Sequence, residues 1–314
     1  MTLFLSTLNQ MGFLFLLIII GYIVVRVGAV PDNATMTLSK MENNIFIPAL
    51  VMGTFMTNLT PERIRAAWIY LVGGAAVLVV TVPVAILIAR ACSKDDFVRN
   101  IYTYGLAFSN FGFMGNAVVA ALFPDIFMEY LIFVLPFWAL IYTWGTPCLL
   151  IPAEGERKTL RDKLRAFVNP MFIGMIVGII LGLSGLKLPA FLTNATTTLG
   201  SCMSPIAMLL TGMTIAKIDL KKAFSIVSIY VVSLVRLIAI PAVFLVLVKL
   251  LPLPETLEYC IICNLAMPLG LSTIVVPAAY GKDSTVASSM ALISHLLSCV
   301  SIPFIFMIFE AFVK

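Results

Sequence analysis

Residues 108 to 119 read FSNFGFMGNAVV, placing two carboxamides, Asn110 and Asn116, and two glycines, Gly112 and Gly115, in the middle of an apolar run from 98 to 122. Asparagine and glycine are poor helix formers, and an amide is costly to place in lipid, so a membrane helix that carries them must use them. A second apolar run holds Asn264, Pro268, Gly270, Ser272 and Thr273 within NLAMPLGLST. Glycine permits departure from helical torsions and proline removes a backbone donor, so both runs are expected to break near their centres. The chemistry available is binding. Half-helix N-termini aimed at one point, with Asn110, Asn116, Asn264, Ser272 and Thr273 as neutral side-chain partners, form a site for an anion that needs no buried lysine.

Ionisable residues inside a membrane are functional candidates by default, and three stand out. Arg236 could neutralise an anionic substrate, or could pair with an exposed half-helix carbonyl or with Glu42 and hold the scaffold together. His295, the single histidine, could relay a proton or simply hydrogen-bond across helices. Glu42 could carry a coupling proton or lie at the interface. Intramembrane proteolysis or lipid transfer would usually need paired carboxylates, a His-x-x-x-His ligand set, or a nucleophile with a base, and the apolar runs hold one His and almost no Asp or Glu. The Cys260-x-x-Cys263 pair lacks a second ligand pair, so no metal site is expected, and the six cysteines read as small buried hydrophobes. No G-x-x-x-x-G-K-[ST] loop is present for a nucleotide, and no cofactor is expected beyond H+ or Na+ as a coupling ion.

The elements that position these residues are membrane helices. Of 314 residues, 61% are hydrophobic and 11% charged, and mean hydropathy is +1.08. A hydrocarbon core of about 30 Å needs roughly 20 apolar residues of helix. The pattern predicts ten spans: 8–29, 40–58, 66–91, 98–122, 126–151, 168–186, 195–216, 223–250, 257–280 and 285–310. The first is read as a retained helix, since no basic head precedes it. Alternate loops collect fourteen Lys and Arg on one side and five on the other, which puts both termini outside a cell (inner or plasma) membrane. The net charge of +5 records this bias and implies no nucleic-acid partner.

The chain divides into residues 1–151, a charged cytoplasmic connector at 152–167, and residues 168–314. Matching signals recur in the halves: Pro48 then Gly53-Thr54 against Pro205 then Gly212, Pro83 against Pro241, and the asparagine-glycine centre against Asn264 to Thr273. Because five is odd, the second half must have inverted orientation. Paired interruptions in inverted repeats point to a transporter's site.

Order and spacing resemble the auxin efflux carrier family, whose bacterial members include malate and malonate permease-like proteins and whose fold is related to that of bile acid:sodium symporters. The resemblance rests on Ala266-Met-Pro-Leu-Gly270, Pro277-Ala-Ala-Tyr-Gly281-Lys-Asp283, Ser294-His-Leu-Leu-Ser298, Ile302-Pro303, Arg236-Leu237 with Pro241, and Asn110 with its glycines. It implies an all-α membrane protein of two inverted five-helix repeats, with scaffold helices 1, 2, 6 and 7, transport helices 3–5 and 8–10, and crossed spans four and nine at the substrate site. Asn110 is then the leading binding residue and Pro268 the second wall. Plant auxin carriers have a proline in the asparagine motif and a long hydrophilic loop. Both are missing here, so auxin is a poor choice of substrate. The expected function is alternating-access transport of a small organic anion such as malate or malonate. An anion channel or a membrane sensory module is the alternative, and an intramembrane enzyme comes last. The expected partners are that anion and the lipid bilayer, with a homodimer left open.

Overall fold

The computed structural model describes residues 2–150, 170–186, 188–217, 219–274 and 285–313. The expected connector at 152–167 and the stretch from Pro277 to Asp283 lie outside these. Regular structure among the described residues is helical. In chain order it comprises α1 (Thr2–Arg26), α2 (34–58), α3 (Pro61–Cys92), α4 (Asp96–Ala107), α5 (Phe111–Leu122), α6 (Pro124–Leu150) and α7 (Pro170–Ser184). Then follow α8 (Ala190–Ile215), α9 (Leu220–Ser225), α10 (Val227–Leu250), α11 (Glu255–Leu265) and α12 (Thr285–Phe312).

Six of these, α1, α3, α6, α8, α10 and α12, are long and apolar enough to cross a bilayer in one run. The other four expected spans differ for local reasons. Lys40, Glu42, Asn43 and Asn44 make the first half of α2 polar. The expected fourth and ninth spans are interrupted, and α7 is an apolar helix of 15 residues.

Local sequence accounts for the ends and bends. Thr60 and Asp95 cap α3 and α4 by accepting from the backbone N–H of Arg63 and Val98. Gly28 and Gly185, with φ of 70° and 64°, terminate the chain's run after α1 and α7 in the left-handed region. Two widened π turns, Glu42–Phe46 and Val235–Ala239, sit just upstream of Pro48 and Pro241. A proline ring clashes with the carbonyl four residues back and offers no N–H, and the wider turn accommodates both defects without ending the helix.

Glycine sets the closest helix contacts. A Cβ on Gly212 of α8 would lie 1.9 Å from the Ile18 carbonyl oxygen of α1, and one on Gly21 would lie 2.1 Å from that of Leu209. Along α7, Gly174, Gly178 and Gly182 rest on the carbonyls of Pro48, Met52 and Phe55 in α2, while Gly200 of α8 rests on Leu50. Thus α1, α2, α7 and α8 pack backbone to backbone. On the other side, Gly74 of α3 meets the Phe133 carbonyl of α6, and α4, α10, α11 and α12 complete that layer.

Gly212→Ala is expected to destabilise the protein by about 1–3 kcal/mol through overpacking, outweighing the ~1 kcal/mol that alanine gains in helix propensity. Gly12→Ala, on the same α1 but with nothing within 4 Å of its Cβ, is the control that gains helix propensity without overpacking. Thermal unfolding in detergent, followed by loss of the monodisperse peak, compares the two. Equal midpoints would mean that the α1–α8 contact is not tight.

Candidate functional site at the helix crossing

The fourth span stops being helical at Phe108, whose φ and ψ are −116° and 106°, and resumes at Phe111. The ninth stops after Leu265, passes through residues 266–270 and turns again at Leu271. The two interruptions run antiparallel across each other: Ser109 faces Leu269 as an isolated bridge, and the Asn110 N–H donates to the Pro268 carbonyl at 2.7 Å. A Cβ on Gly270 would sit 3.0 Å from the Phe108 carbonyl oxygen, so a larger residue would push the crossing segments apart. The Leu269 N–H is satisfied by Ser294 Oγ of α12 at 3.3 Å. Backbone groups freed by the breaks therefore find one another, as they must away from water.

Arg236 takes the carbonyls. Fully buried in the π turn of α10, it donates Nη1 to the Leu106 carbonyl at 3.1 Å, Nη2 to Asn264 at 3.0 Å and Nε to Met267 at 3.2 Å. One guanidinium thus covers the C-terminal ends of both α4 and α11, where helix dipoles are negative. Of the roles open to it in the sequence, it fills that of partner to half-helix carbonyls. The first N–H groups of α5 precede any intrahelical bond, since the first such bonds run from Met114 and Gly115 to the Asn110 carbonyl.

Side chains gather at the same crossing. Asn110 Nδ2 lies 2.9 Å from His295 Nε2, and His295 Nδ1 lies 2.7 Å from the Ala291 carbonyl. Thr273 Oγ1 donates to the Gly270 carbonyl, and Asn116 Nδ2 to that of Gly112. Among the described residues, Ser109 Oγ, the amide oxygens of Asn110 and Asn116, and both side-chain polar atoms of Asn264 are buried without a hydrogen-bond partner. Ser272 is half-buried beside them. Glu42 is also buried with neither oxygen partnered, but in α2, apart from this hydrogen-bonded cluster.

One expectation needs correction. Gly112 and Gly115 do not supply unusual torsions, for neither has positive φ. Instead they allow close packing: a Cβ on Gly112 would meet the Trp138 ring at 2.9 Å, and one on Gly115 the Tyr130 hydroxyl at 2.4 Å. The break lies one turn earlier, at Phe108 to Asn110. Cys148, expected to be buried, is exposed on α6. The sequence reading also passed over Ser109 and Ser294 as parts of the crossing. Their signal was adjacency to Asn110 and His295.

Buried polar side chains inside, with apolar Ile173, Ile176, Ile180 and Leu183 exposed on α7, are the inverse of a soluble protein's arrangement. Residues 6–306 match the family described as membrane transport protein. The chain belongs to this family, that of the auxin efflux carriers. A search of curated proteins finds no significant match. Membership makes this a multi-pass membrane transporter, and the crossing of interrupted helices is where its polar groups converge.

Proposed function

We propose that this transporter carries a small organic anion, a mono- or dicarboxylate of the malate or malonate type, by alternating access, and binds it at the crossing of residues 108–112 with 266–273. The observation that carries the reading is the placement of Arg236. Its charge compensates the negative C-terminal ends of α4 and α11, which leaves the opposite, N-terminal ends beginning at Phe111 and Leu271 as the free positive poles. A carboxylate is the ligand that such ends favour. Asn110, Asn116, Asn264, Ser272 and Thr273 supply orientation without charge.

In this reading ten spans form two inverted repeats, 1–151 and 168–314, in the inner or plasma membrane with both termini outside. The glycine-tight group α1, α2, α7 and α8 serves as scaffold, and the crossed helices with α3, α6, α10 and α12 move against it in an elevator-like or rocking step. The backbone-close glycine contacts that join α1, α2, α7 and α8 to one another support the division. The test is reconstitution in liposomes with labelled malate, malonate, pyruvate, lactate and indole acetate under imposed proton or sodium gradients. Saturable uptake of a carboxylate is expected. Currents beyond carrier turnover would replace the carrier with a channel, and no uptake of any of the five would overturn the anion reading.

A further inference from the structure

We propose that His295 is a proton-binding site that couples to the transported anion by turning over the side-chain amide of Asn110. The inference rests on the reading of Asn110 as part of the substrate site. A carbonyl oxygen only accepts, so the 2.7 Å contact to Ala291 puts a hydrogen on His295 Nδ1. Nε2 of the neutral ring then carries a lone pair, and at 2.9 Å it accepts from the Asn110 amide nitrogen. The Asn110 amide oxygen points the other way, buried and without a partner among the described residues. A group left in that condition is costly unless it has a use.

A proton arriving at Nε2 reverses the polarity of this contact. The imidazolium has hydrogens on both nitrogens and cannot face an NH2 group. Rotation of the amide about its Cβ–Cγ bond brings the oxygen to Nε2 as acceptor, and the NH2 group takes the place the oxygen held. The backbone of Asn110 stays fixed meanwhile, tied through its N–H to Pro268 and through its carbonyl to Met114 and Gly115. The site thereby changes from one that presents a carbonyl oxygen to one that presents a donor with a positive charge behind it. The first repels a carboxylate and the second attracts it. Proton and anion then enhance each other's binding by the same factor, which favours their passage together.

Among the described residues, the buried ionisable side chains on helices packed against α12 include Arg236, committed to three carbonyls, Tyr102 and Tyr104 of α4, and Cys260 and Cys263 of α11. Others lie toward helix ends, where Asp96 pairs with Arg99, and Lys249 donates to the Phe312 carbonyl. None is hydrogen-bonded to the imidazole.

Because the chain has one histidine, 15N-histidine labelling of protein without a polyhistidine tag gives one imidazole by NMR in nanodiscs. The expected result is a ring protonated at Nδ1 and bare at Nε2 at high pH, which takes a proton at Nε2 on acidification. In Asn110→Ala the proton concentration at mid-titration is expected to change by about tenfold or more, since the amide partner of both ring states is gone. In liposomes, an inward proton gradient should raise labelled malonate uptake by the wild type above its level without a gradient, and the ratio of the two rates should fall to about one in His295→Gln, whatever the rate of that variant without a gradient. A ring bare at Nδ1, a mid-titration point unmoved by Asn110→Ala, or proton-driven uptake retained in His295→Gln would each overturn the proposal. Absence of malonate uptake in the wild type would count instead against the substrate reading, while the NMR titration still decides the proton site.

Discussion

Arg236→Ala is expected to leave little folded protein. The substitution removes the guanidinium from three buried carbonyls at once: those of Leu106 and Met267 lose it outright, and that of Asn264 keeps only local backbone bonds such as the 3.4 Å one from the Met267 N–H. Each carbonyl left alone costs about 1–3 kcal/mol, so the loss is of order 5 kcal/mol, a large part of the 5–15 kcal/mol that typical folded proteins have. A midpoint drop of about 10 °C or more follows, or failure to give a monodisperse peak at all. Arg236→Lys is expected to fall between alanine and wild type, because an ammonium keeps the charge but lacks the planar fork that reaches two chain segments. If instead Arg236 existed to bind substrate, alanine would abolish uptake at nearly normal thermal stability, and that result would remove the structural role assigned here.

Asn110→Ala is expected to do the reverse: normal folding and strongly reduced transport. The bond from its N–H to Pro268, which ties the crossing, belongs to the backbone and survives the substitution. What is lost is the amide that the proposed site places between His295 and the anion. A hydrogen bond to a charged group contributes about 1.5–3 kcal/mol, so initial uptake at low substrate concentration should fall by roughly tenfold to a hundredfold. The measurement is initial rate against concentration in liposomes, with the thermal midpoint recorded on the same preparations. Uptake within twofold of wild type in well-folded protein would show that the anion binds elsewhere.

Much of the architecture is legible because the bilayer imposes a strict length and polarity on helices. Residues that violate that code announce themselves: Asn110, Pro268, Arg236 and His295 are conspicuous in apolar runs, and they are the residues that meet at the crossing. Less legible is what each violation is for. Gly112 and Gly115 read as sites of broken torsion, yet they are helical and exist to admit Trp138 and Tyr130, neighbours in space that sequence spacing does not reveal. Arg236 had several partners open to it, since a backbone carbonyl leaves no mark in a sequence. The pairing of Ser109 with Leu269 is likewise a main-chain contact, indifferent to side-chain type. Glu42 remains conspicuous without an observed partner, in a helix whose glycine contacts explain its neighbours but not its carboxyl group.

The guanidinium that joins α4 to α11 also sets an order on biosynthesis. Leu106 leaves the ribosome 130 residues before Arg236 does, an interval on the order of ten seconds at ordinary translation speeds of about 5–20 residues per second. For that time neither the guanidinium nor the Pro268 carbonyl exists, and the nascent fourth span can satisfy the Leu106 carbonyl and the Asn110 N–H only with each other or with water. The broken form seen in the finished fold can therefore arise only once the later half of the polypeptide has arrived to hold it open.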